Sequence, residues 1–422
     1  MITALLVLST AVLLRALAAK RLDRWNIAAP VLMVLCGAAT ALFASPAKLL
    51  DVFDTEIAQH VAELILAMLL FVDATEVRGG RLWGHAPGLV ARVLFFALPL
   101  SLGLAMLAGW AFFPGLSWPL LLIVACIVIP SDFAAAERVV RDRTLTPQVR
   151  SVLNVESGYN DGLVSPLFLF ALILARSDNT ANTAGKALAT ALPFAIKAIV
   201  AGAVVGTAIG ILLFLAVRAG WTSGQGRRIA LLTTPLLTYA ATVAIDGNGF
   251  VACFVSGIAF RYVYRAFAAR HLRISDSHAR EHFARPSEDL QLLEEVTGIL
   301  TMAMWFVVGG AAVVVASLGI AWQPVVFCLL ALTVLRIVPV MLSLSRTRMP
   351  HRDRFLVGAL GPRGTTSVVF GLLAINGLTG EESDLVLTLT VVCVLGSVVL
   401  HGLGSTPLIA RLMTPRTHRQ SQ

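Results

Sequence analysis

Long apolar runs recur along the whole chain and are separated by short polar stretches. Thirteen of them can be placed, at 1–19, 27–45, 57–74, 88–113, 118–138, 147–175, 187–217, 229–245, 248–264, 291–317, 321–344, 355–377 and 385–410. A helix of about 20 apolar residues crosses a hydrocarbon core about 30 Å thick. The pattern therefore predicts an all-α integral membrane protein with about 13 transmembrane helices. Because the runs occupy nearly the whole chain, residues 1–422 are predicted to form a single membrane domain.

The composition agrees with a location in a bilayer. Hydrophobic residues make up 57% of the chain and charged residues 14%, whereas about 25% of the residues of an average soluble protein are charged. The cysteines lie within apolar runs and show neither CxxC spacing nor neighbouring histidines; they are Cys36, Cys126, Cys253, Cys328 and Cys393. This pattern predicts neither a disulfide framework nor a metal centre, and no cofactor is expected.

Basic residues gather on alternate polar stretches. Most of the 33 lysines and arginines lie on one set, around 20–24, 78–81, 138–150, 218–228, 261–285, 346–354 and 411–419. The opposite set carries acidic stretches such as DVFDTE and GEESD. Cytoplasmic loops are enriched in lysine and arginine, so we expect a multi-pass protein of the cell membrane with its N-terminus outside and its C-terminus in the cytoplasm. The net charge of +9 therefore does not indicate a nucleic-acid partner.

The fifth apolar run contains a proline directly before two polar residues. Pro130 precedes Ser131 and Asp132 in the sequence CIVIPSDF. Proline removes an intrahelical hydrogen bond and frees a carbonyl group, and freed carbonyls of broken transporter helices coordinate cations. The alternative is a simple kink, with Asp132 at the cytoplasmic end of the helix.

The sixth apolar run begins with a cluster of polar side chains in the sequence VESGYNDG. On a helix, Glu156 and Asn160 are four residues apart, as are Ser157 and Asp161, so the four side chains lie within about one turn. Together with Asp132 they offer carboxylate, hydroxyl and amide oxygens, which suit a hard monovalent cation better than zinc. The alternative is a polar helix end exposed to water, although the next apolar stretch begins directly at 163.

The eleventh run contains an arginine at its centre, where a charged side chain costs about 2.5 to 3.5 kcal/mol by insertion scales. Arg336 therefore requires a buried anion, and Glu156 and Asp161 are the candidates. Because arginine keeps its proton, its partner would stay ionised, and the other carboxylate would be free to titrate.

The twelfth run is interrupted by glycine and proline in the sequence GALGPRGTTS, with Arg363 at the break. Arg363 is a candidate gating residue or a residue at the cytoplasmic boundary of the membrane. Two interrupted helices, one in each half of the chain, are typical of inverted-repeat transporters whose broken helices cross near the middle of the membrane.

The motif VESGYNDG after PSDF, followed by an intramembrane arginine and GPRG, resembles the monovalent cation:proton antiporters, in particular the sodium/proton exchanger branch. The resemblance follows the whole span pattern and is most specific over 130–162. It implies a homodimer of thirteen-helix protomers. Core-type helices around 57–175 and 291–410 would move like an elevator against dimerisation-type helices around 1–45 and 187–264.

The resemblance also implies roles for three residues of the sixth run. Asp161 would bind the cation and the proton in turn, Asn160 would support the crossing of the broken helices, and Ser157 would offer a ligand oxygen. A single aspartate preceded by asparagine implies electroneutral exchange of one sodium (or lithium) ion for one proton, in the service of pH and sodium homeostasis. The protein would then be a transporter and not an enzyme.

Two further pairs match motifs of the same family. Ser131 and Asp132 match its Thr-Asp-Pro motif, with Phe133 in place of the proline. Glu156 and Arg336 match its buried ion pair, which leaves the aspartate of the sixth run as the acid that titrates. The departure at Phe133 changes which carbonyls reach the ion, so potassium remains the alternative cation.

Functions from two other classes are less consistent with the sequence. An intramembrane aspartyl protease could use Asp132 and Asp161, but the GxGD-type motif is absent and such a dyad has no use for Arg336. A channel requires a continuous pore, and the chain has no filter-like repeats. Secondary transport is therefore the favoured interpretation.

Overall fold

A computed structural model describes residues 2–24, 28–43, 56–76, 84, 86–133, 144–176, 180–272, 286–319, 321–403 and 409. These residues are mainly helical, and none of them forms a β-strand. The helices are α1 (Ile2–Leu17), α2 (Ala19–Arg24), α3 (Ala29–Leu42), α4 (Glu56–Glu76), α5 (Pro87–Phe112), α6 (Trp118–Val128), α7 (Pro147–Ala175), α8 (Thr180–Arg218), α9 (Gly224–Val243), α10 (Gly249–Leu272), α11 (Pro286–Leu318), α12 (Trp322–Leu332), α13 (Val334–Ser343), α14 (His351–Ala359), α15 (Thr365–Ile375) and α16 (Glu381–Ser397). A π-helical turn lies within α5 at Val93–Ala97, and another follows α16 at Val398–Leu403.

Each predicted apolar run coincides with one helix or with an interrupted pair of helices, within the part of the chain that the structure describes. Among these residues, seven helical segments are long and apolar enough to cross a membrane, and four shorter apolar helices accompany them. The prediction of an all-α, multi-span membrane protein is confirmed. The predicted helix ends at 134–138 and 404–408 lie outside the described residues.

Both predicted helix interruptions are present, and the two non-helical stretches touch. The first, 129–132, follows the end of α6, and the second, 360–364, separates α14 from α15. The backbone N–H of Asp132 donates to the carbonyl of Pro362 at 2.8 Å. Pro130 and Pro362 lack a backbone N–H and so cannot continue a helix normally, which explains why both breaks occur at these positions.

The eleventh run contains a break that its hydrophobic pattern does not predict. Thr333 separates α12 from α13, with φ −123° and ψ −90°. The Thr333 hydroxyl donates to the carbonyl of Leu329 at 2.6 Å, a bond to the preceding turn of the kind that bends helices. As a result, Arg336 lies in the first turn of α13 rather than in the middle of a continuous helix.

The helices pack in two groups. The first group contains α1, α3, α4 and α8–α11, with α8 along α10 and α3 along α11; the second contains α5–α7 and α12–α16, with α6 against both α5 and α7. The groups meet where α7 contacts α8 and α10, where α4 contacts α7 and α15, and where α11 contacts α15 and α16. The helices α6, α7, α13 and α15, which carry the predicted site residues or flank them, all belong to the second group.

Glycines let α3 and α11 approach each other at the level of the backbone. A Cβ atom at Gly37 would collide with the carbonyl of Phe306, and one at Gly309 would collide with the carbonyl of Val34. Small residues of this kind support helix association in membranes, where van der Waals packing replaces much of the hydrophobic effect. The close packing of α3 on α11 therefore requires glycine at both positions.

Gly309→Ala is expected to push α3 away from α11 and to destabilise the protein by about 1–3 kcal/mol, the usual cost of overpacking. The measurement is the apparent melting temperature of the purified protein in detergent. Gly298→Ala is the matched control, since it lies on the same helix and a Cβ there meets nothing within 4 Å. Equal melting temperatures for the two variants would contradict this account of the packing.

Candidate ion-binding site

The predicted site residues converge where the interrupted helices cross. Ser131, Glu156, Asn160, Asp161 and Arg363 are all buried, with exposed fractions from 0% to 2%. Three of them lie on α7, whose first turn begins with a proline at the preferred first position and is capped by the preceding threonine side chain. The site therefore combines one continuous helix with two unwound stretches.

Asn160 ties α7 to the unwound end of α6. Its Nδ2 donates to the backbone carbonyl of Ser131 at 2.8 Å and to the Ser131 hydroxyl at 3.1 Å. The carbonyl that accepts the first bond lies directly after Pro130, in a stretch where regular helical bonds are lost. Asn160 Oδ1, on the other side of the amide, is buried and has no partner among the described residues.

Glu156 is the partner of Arg336. The two guanidinium nitrogens Nη1 and Nη2 donate to the two carboxylate oxygens at 2.9 and 2.8 Å, and Ser131 Oγ adds a third donor at 3.0 Å. Paired N–H···O bonds of this geometry are among the strongest in proteins. A Cβ at Gly361 would collide with the Arg336 guanidinium, so the break before α15 leaves room for this pair.

Asp161 forms no ion pair among the described residues. The hydroxyl of Thr366 donates to Asp161 Oδ2 at 2.7 Å. The other oxygen, Oδ1, is buried and has no hydrogen-bond partner in the same part of the chain. Since buried polar atoms are nearly always satisfied, this oxygen is the natural position for a proton or a cation.

Asp132 lies at the N-terminal end of α15. The backbone N–H of Thr366, in the first turn of that helix, points to Asp132 Oδ2 at 3.4 Å. A Cβ at Gly364 would meet the same carboxylate. Helix N-termini carry a partial positive charge that favours a carboxylate, so the start of α15 is a favourable position for the Asp132 side chain.

Arg363 fills the crossing from within. Its Nε donates to the carbonyl of Val128 at 2.5 Å, its Nη1 to the carbonyl of Gly361, and its Nη2 to that of Ala331 at 3.3 Å. Its backbone N–H donates to Ser397 Oγ at 2.6 Å. Val128 is the last residue of α6 and Ala331 is near the end of α12, so the guanidinium neutralises two negative helix ends. Arg363 is thus wholly buried, and its role in gating or at the cytoplasmic boundary stays a prediction.

The positive and negative charges of the side chains at the crossing do not cancel. Glu156, Asp132 and Asp161 contribute three negative charges when ionised, and Arg336 and Arg363 contribute two positive charges. With all three carboxylates ionised, the net charge of this described cluster is one negative unit. One bound proton or one monovalent cation makes the cluster neutral.

The structure adds two residues that the sequence reasoning did not select. Thr365 and Thr366 open α15, and Thr365 Oγ1 is also buried without a partner among the described residues. The signal was a pair of hydroxyl side chains directly after the break, in GPRGTTS. Ser157, which lies one turn before Asp161 and is partly buried, stays a predicted ligand.

The sequence profile of the family described as sodium/hydrogen exchanger, transmembrane, matches residues 7–411. The chain belongs to this family. The chain is therefore a cation/proton antiporter, and the two broken helices cross at its candidate ion-binding site.

Named relatives of this family differ in the cation that their names give. The Na(+)/H(+) antiporter NhaP of Pseudomonas aeruginosa is 26% identical over 377 residues, which cover 85% of this chain and 81% of that protein. The K(+)/H(+) antiporter NhaP2 of Shewanella sp. strain ANA-3 is 25% identical over 360 residues, covering 84% of this chain but 57% of the relative. This chain thus spans little more than half the length of the second relative.

A solved structure shares the fold. The sodium proton antiporter MjNhaP1 from Methanocaldococcus jannaschii, determined at pH 8, matches with a TM-score of 0.72 at 16% identity, and the match covers 98% of this chain and 99% of that one. The predicted antiporter fold with two interrupted, crossing helices is therefore confirmed.

Replacement of Glu156 by glutamine is expected to destabilise the protein by about 3–5 kcal/mol, because it leaves the Arg336 charge buried and unpaired. The double variant Glu156→Leu with Arg336→Met removes both charges and should recover part of the loss. Apparent melting temperatures in detergent measure both effects. A double variant that is less stable than Glu156→Gln would contradict the ion-pair account.

Proposed function

We propose that this chain exchanges one sodium or lithium ion for one proton across the cell membrane, for pH and sodium homeostasis. The observation that carries the proposal is the asymmetry between two buried carboxylates. Glu156 is held by both nitrogens of Arg336, whereas Asp161 has one hydroxyl donor on Oδ2 and no partner on Oδ1 among the described residues. Asp161 is therefore the group that can alternate between a proton and a cation.

The ligands available around Asp161 suit a hard monovalent cation. Oxygen atoms come from the Asp161 and Asp132 carboxylates, the Asn160 amide, and the Ser131 and Ser157 side chains, and no sulfur or imidazole ligand is part of this set. Oxygen ligands favour hard cations, while zinc favours sulfur and nitrogen. Of these groups, Asn160 Oδ1 is buried without a partner in the described chain, so it has full capacity to coordinate.

The coupling between the two ions follows from the charge at the crossing. With Asp161 ionised and unoccupied, the cluster carries one net negative charge, and moving a buried charge through apolar surroundings is costly. A bound proton or a bound sodium ion removes that charge. The core helices therefore change their access only when Asp161 is occupied, and the two ions compete for one carboxylate.

The two packing groups of helices suggest which parts move. The core-type helices around 57–175 and 291–410, which include the group that carries the site, would act as the mobile core. Helices in the ranges 1–45 and 187–264 would form the dimerisation part, with exposed apolar side chains such as Leu13 on α1 and Val204 on α8 facing lipid or a second protomer. The α4 helix contacts members of both groups.

The protein would act as a homodimer, with its N-terminus outside and its C-terminus in the cytoplasm, and without a cofactor. It would be a transporter and not an enzyme, since family membership favours transport over an aspartyl protease that uses Asp132 and Asp161.

Potassium is the second candidate cation. Two observations favour it: Phe133 replaces the proline that the family motif carries after the aspartate, and one group of relatives is named for potassium. A larger cation needs longer ligand distances, and a change in the backbone next to Asp132 would alter them. Sodium stays the main proposal because the relative of similar length is named for sodium.

Purified protein in vesicles is expected to dissipate an imposed pH gradient when sodium is added, and Asp161→Asn should abolish this, because an amide cannot exchange a proton for a cation. Asp246→Asn is the matched control, since Asp246 is exposed between α9 and α10, and it should retain native rates. A fluorescent pH indicator inside the vesicles measures the exchange. Normal exchange by Asp161→Asn would show that the assignment of the carrier is wrong.

Initial rates are expected to be independent of an imposed membrane potential, because one unit of positive charge replaces another at Asp161. The same vesicles, clamped at zero potential or at an imposed potassium diffusion potential, provide the measurement. Rates with sodium, lithium and potassium gradients at zero potential then rank the cations. A rate that changes with potential would contradict the 1:1 stoichiometry. A higher rate with potassium than with sodium would identify potassium as the substrate.

A further inference from the structure

We propose that Thr366 is a positioning residue for the exchange: its hydroxyl anchors Asp161 Oδ2 and so leaves Oδ1 as the oxygen that takes the cation or the proton. This inference rests on the proposed function and adds a residue to the same site. It follows from the two contacts that Thr366 makes, from its burial, and from the different surroundings of the two oxygens of Asp161.

The Thr366 hydroxyl is held in a fixed position. Thr366 is the second residue of α15 and is 2% exposed. Its backbone N–H points to Asp132 Oδ2 at 3.4 Å, and its neighbour Ser367 donates its hydroxyl to the carbonyl of Ile127 on α6 at 2.7 Å. The start of α15 is therefore attached to the end of α6, and the hydroxyl that reaches Asp161 cannot easily move away.

The direction of the hydrogen bond distinguishes the two states of Asp161. A threonine hydroxyl has one proton, and an ionised carboxylate can only accept, so Thr366 Oγ1 is the donor in the 2.7 Å contact with Asp161 Oδ2. A donor on one oxygen stabilises the ionised carboxylate, which is the form that binds a cation. The anchored oxygen also fixes the plane of the carboxylate, so that Oδ1 is presented in one orientation.

Other charged groups around Asp161 lie on its own helix and on neighbouring segments. Asp132 lies in the unwound stretch after α6, and Arg363 lies in the break before α15. Glu156 lies on α7 itself and is paired with Arg336 of α13. None of these groups donates a hydrogen bond to Asp161 in the described structure. Removing the Thr366 hydroxyl therefore changes the hydrogen bonding of Asp161 without changing the net charge of the cluster.

Loss of the hydroxyl should therefore weaken cation binding more than turnover. Thr366→Val keeps the shape of the side chain and removes the donor. The KM for sodium is expected to rise roughly tenfold, the order of effect of one hydrogen bond to a charged group, while the maximal rate at saturating sodium stays within about twofold. Thr366→Ser restores the hydroxyl and should return the KM to within about threefold of the native value.

The test is sodium-driven proton movement in vesicles, with KM and maximal rate measured for the native protein and for the variants Thr366→Val and Thr366→Ser. Thr390→Val is the matched control. Thr390 is a buried threonine of the adjacent helix α16, and among the described residues its hydroxyl bonds only the carbonyl of Val386 on its own helix, at 2.7 Å. It should behave like the native protein. If Thr366→Val does not fold, Thr366→Ala removes the same donor with less steric demand and takes its place.

The outcomes separate this inference from the proposed function. Absence of sodium-driven exchange in the native protein overturns the proposed function and this inference with it. Native exchange together with an unchanged sodium KM in Thr366→Val or Thr366→Ala overturns the inference alone. An equal fall in maximal rate for the valine and serine variants, without a change in KM, indicates a role in packing and also overturns it.

Discussion

The crossing of two broken helices is the constraint on which the rest of the structure depends. A break inside a membrane leaves carbonyl and N–H groups that neither water nor a regular helix can satisfy. Arg363 satisfies carbonyl groups at the ends of α6 and α12 by donating hydrogen bonds to them. Asp132 accepts from a backbone N–H group at the start of α15. The positions of Arg363 and Asp132 are thereby fixed by the fold itself.

Once those charges are fixed, the roles of the α7 carboxylates follow from their neighbours. Arg336 keeps its proton, and its two bonds to Glu156 hold that carboxylate in place. Asp161 is five residues further along the same helix. It lies at the crossing of the broken helices but is not part of the Glu156–Arg336 ion pair. One acid thus supports the structure while the other stays available, and the difference comes from a single arginine at the start of α13.

Much of this arrangement could be predicted from the sequence, because breaks and buried charges leave clear local signals. Pro130 and the GPRG sequence indicated both interruptions, and the cost of burying Arg336 required an anion, although residue chemistry alone left Glu156 and Asp161 as equal candidates. The break at Thr333 was missed because a lone threonine in an apolar run has no proline or glycine signal. The roles of Arg363 and Thr366 depend on which carbonyls and carboxylates face them, and that is set by tertiary packing rather than by local sequence.

The contact between α7 and α10 shows how closely the site lies against the other group of helices. The ring of Phe254 on α10 sits where a Cβ of Gly162 would be, directly beside Asp161, and Tyr159 meets the same ring edge-on at a centroid distance of 5.6 Å. A glycine at this point leaves room for the aromatic ring, so α7 can lie close to α10. Under the proposed function, the site helix must move past this surface with Asp161 occupied, and an apolar contact next to the carboxylate is compatible with a neutral cluster far more than with a charged one.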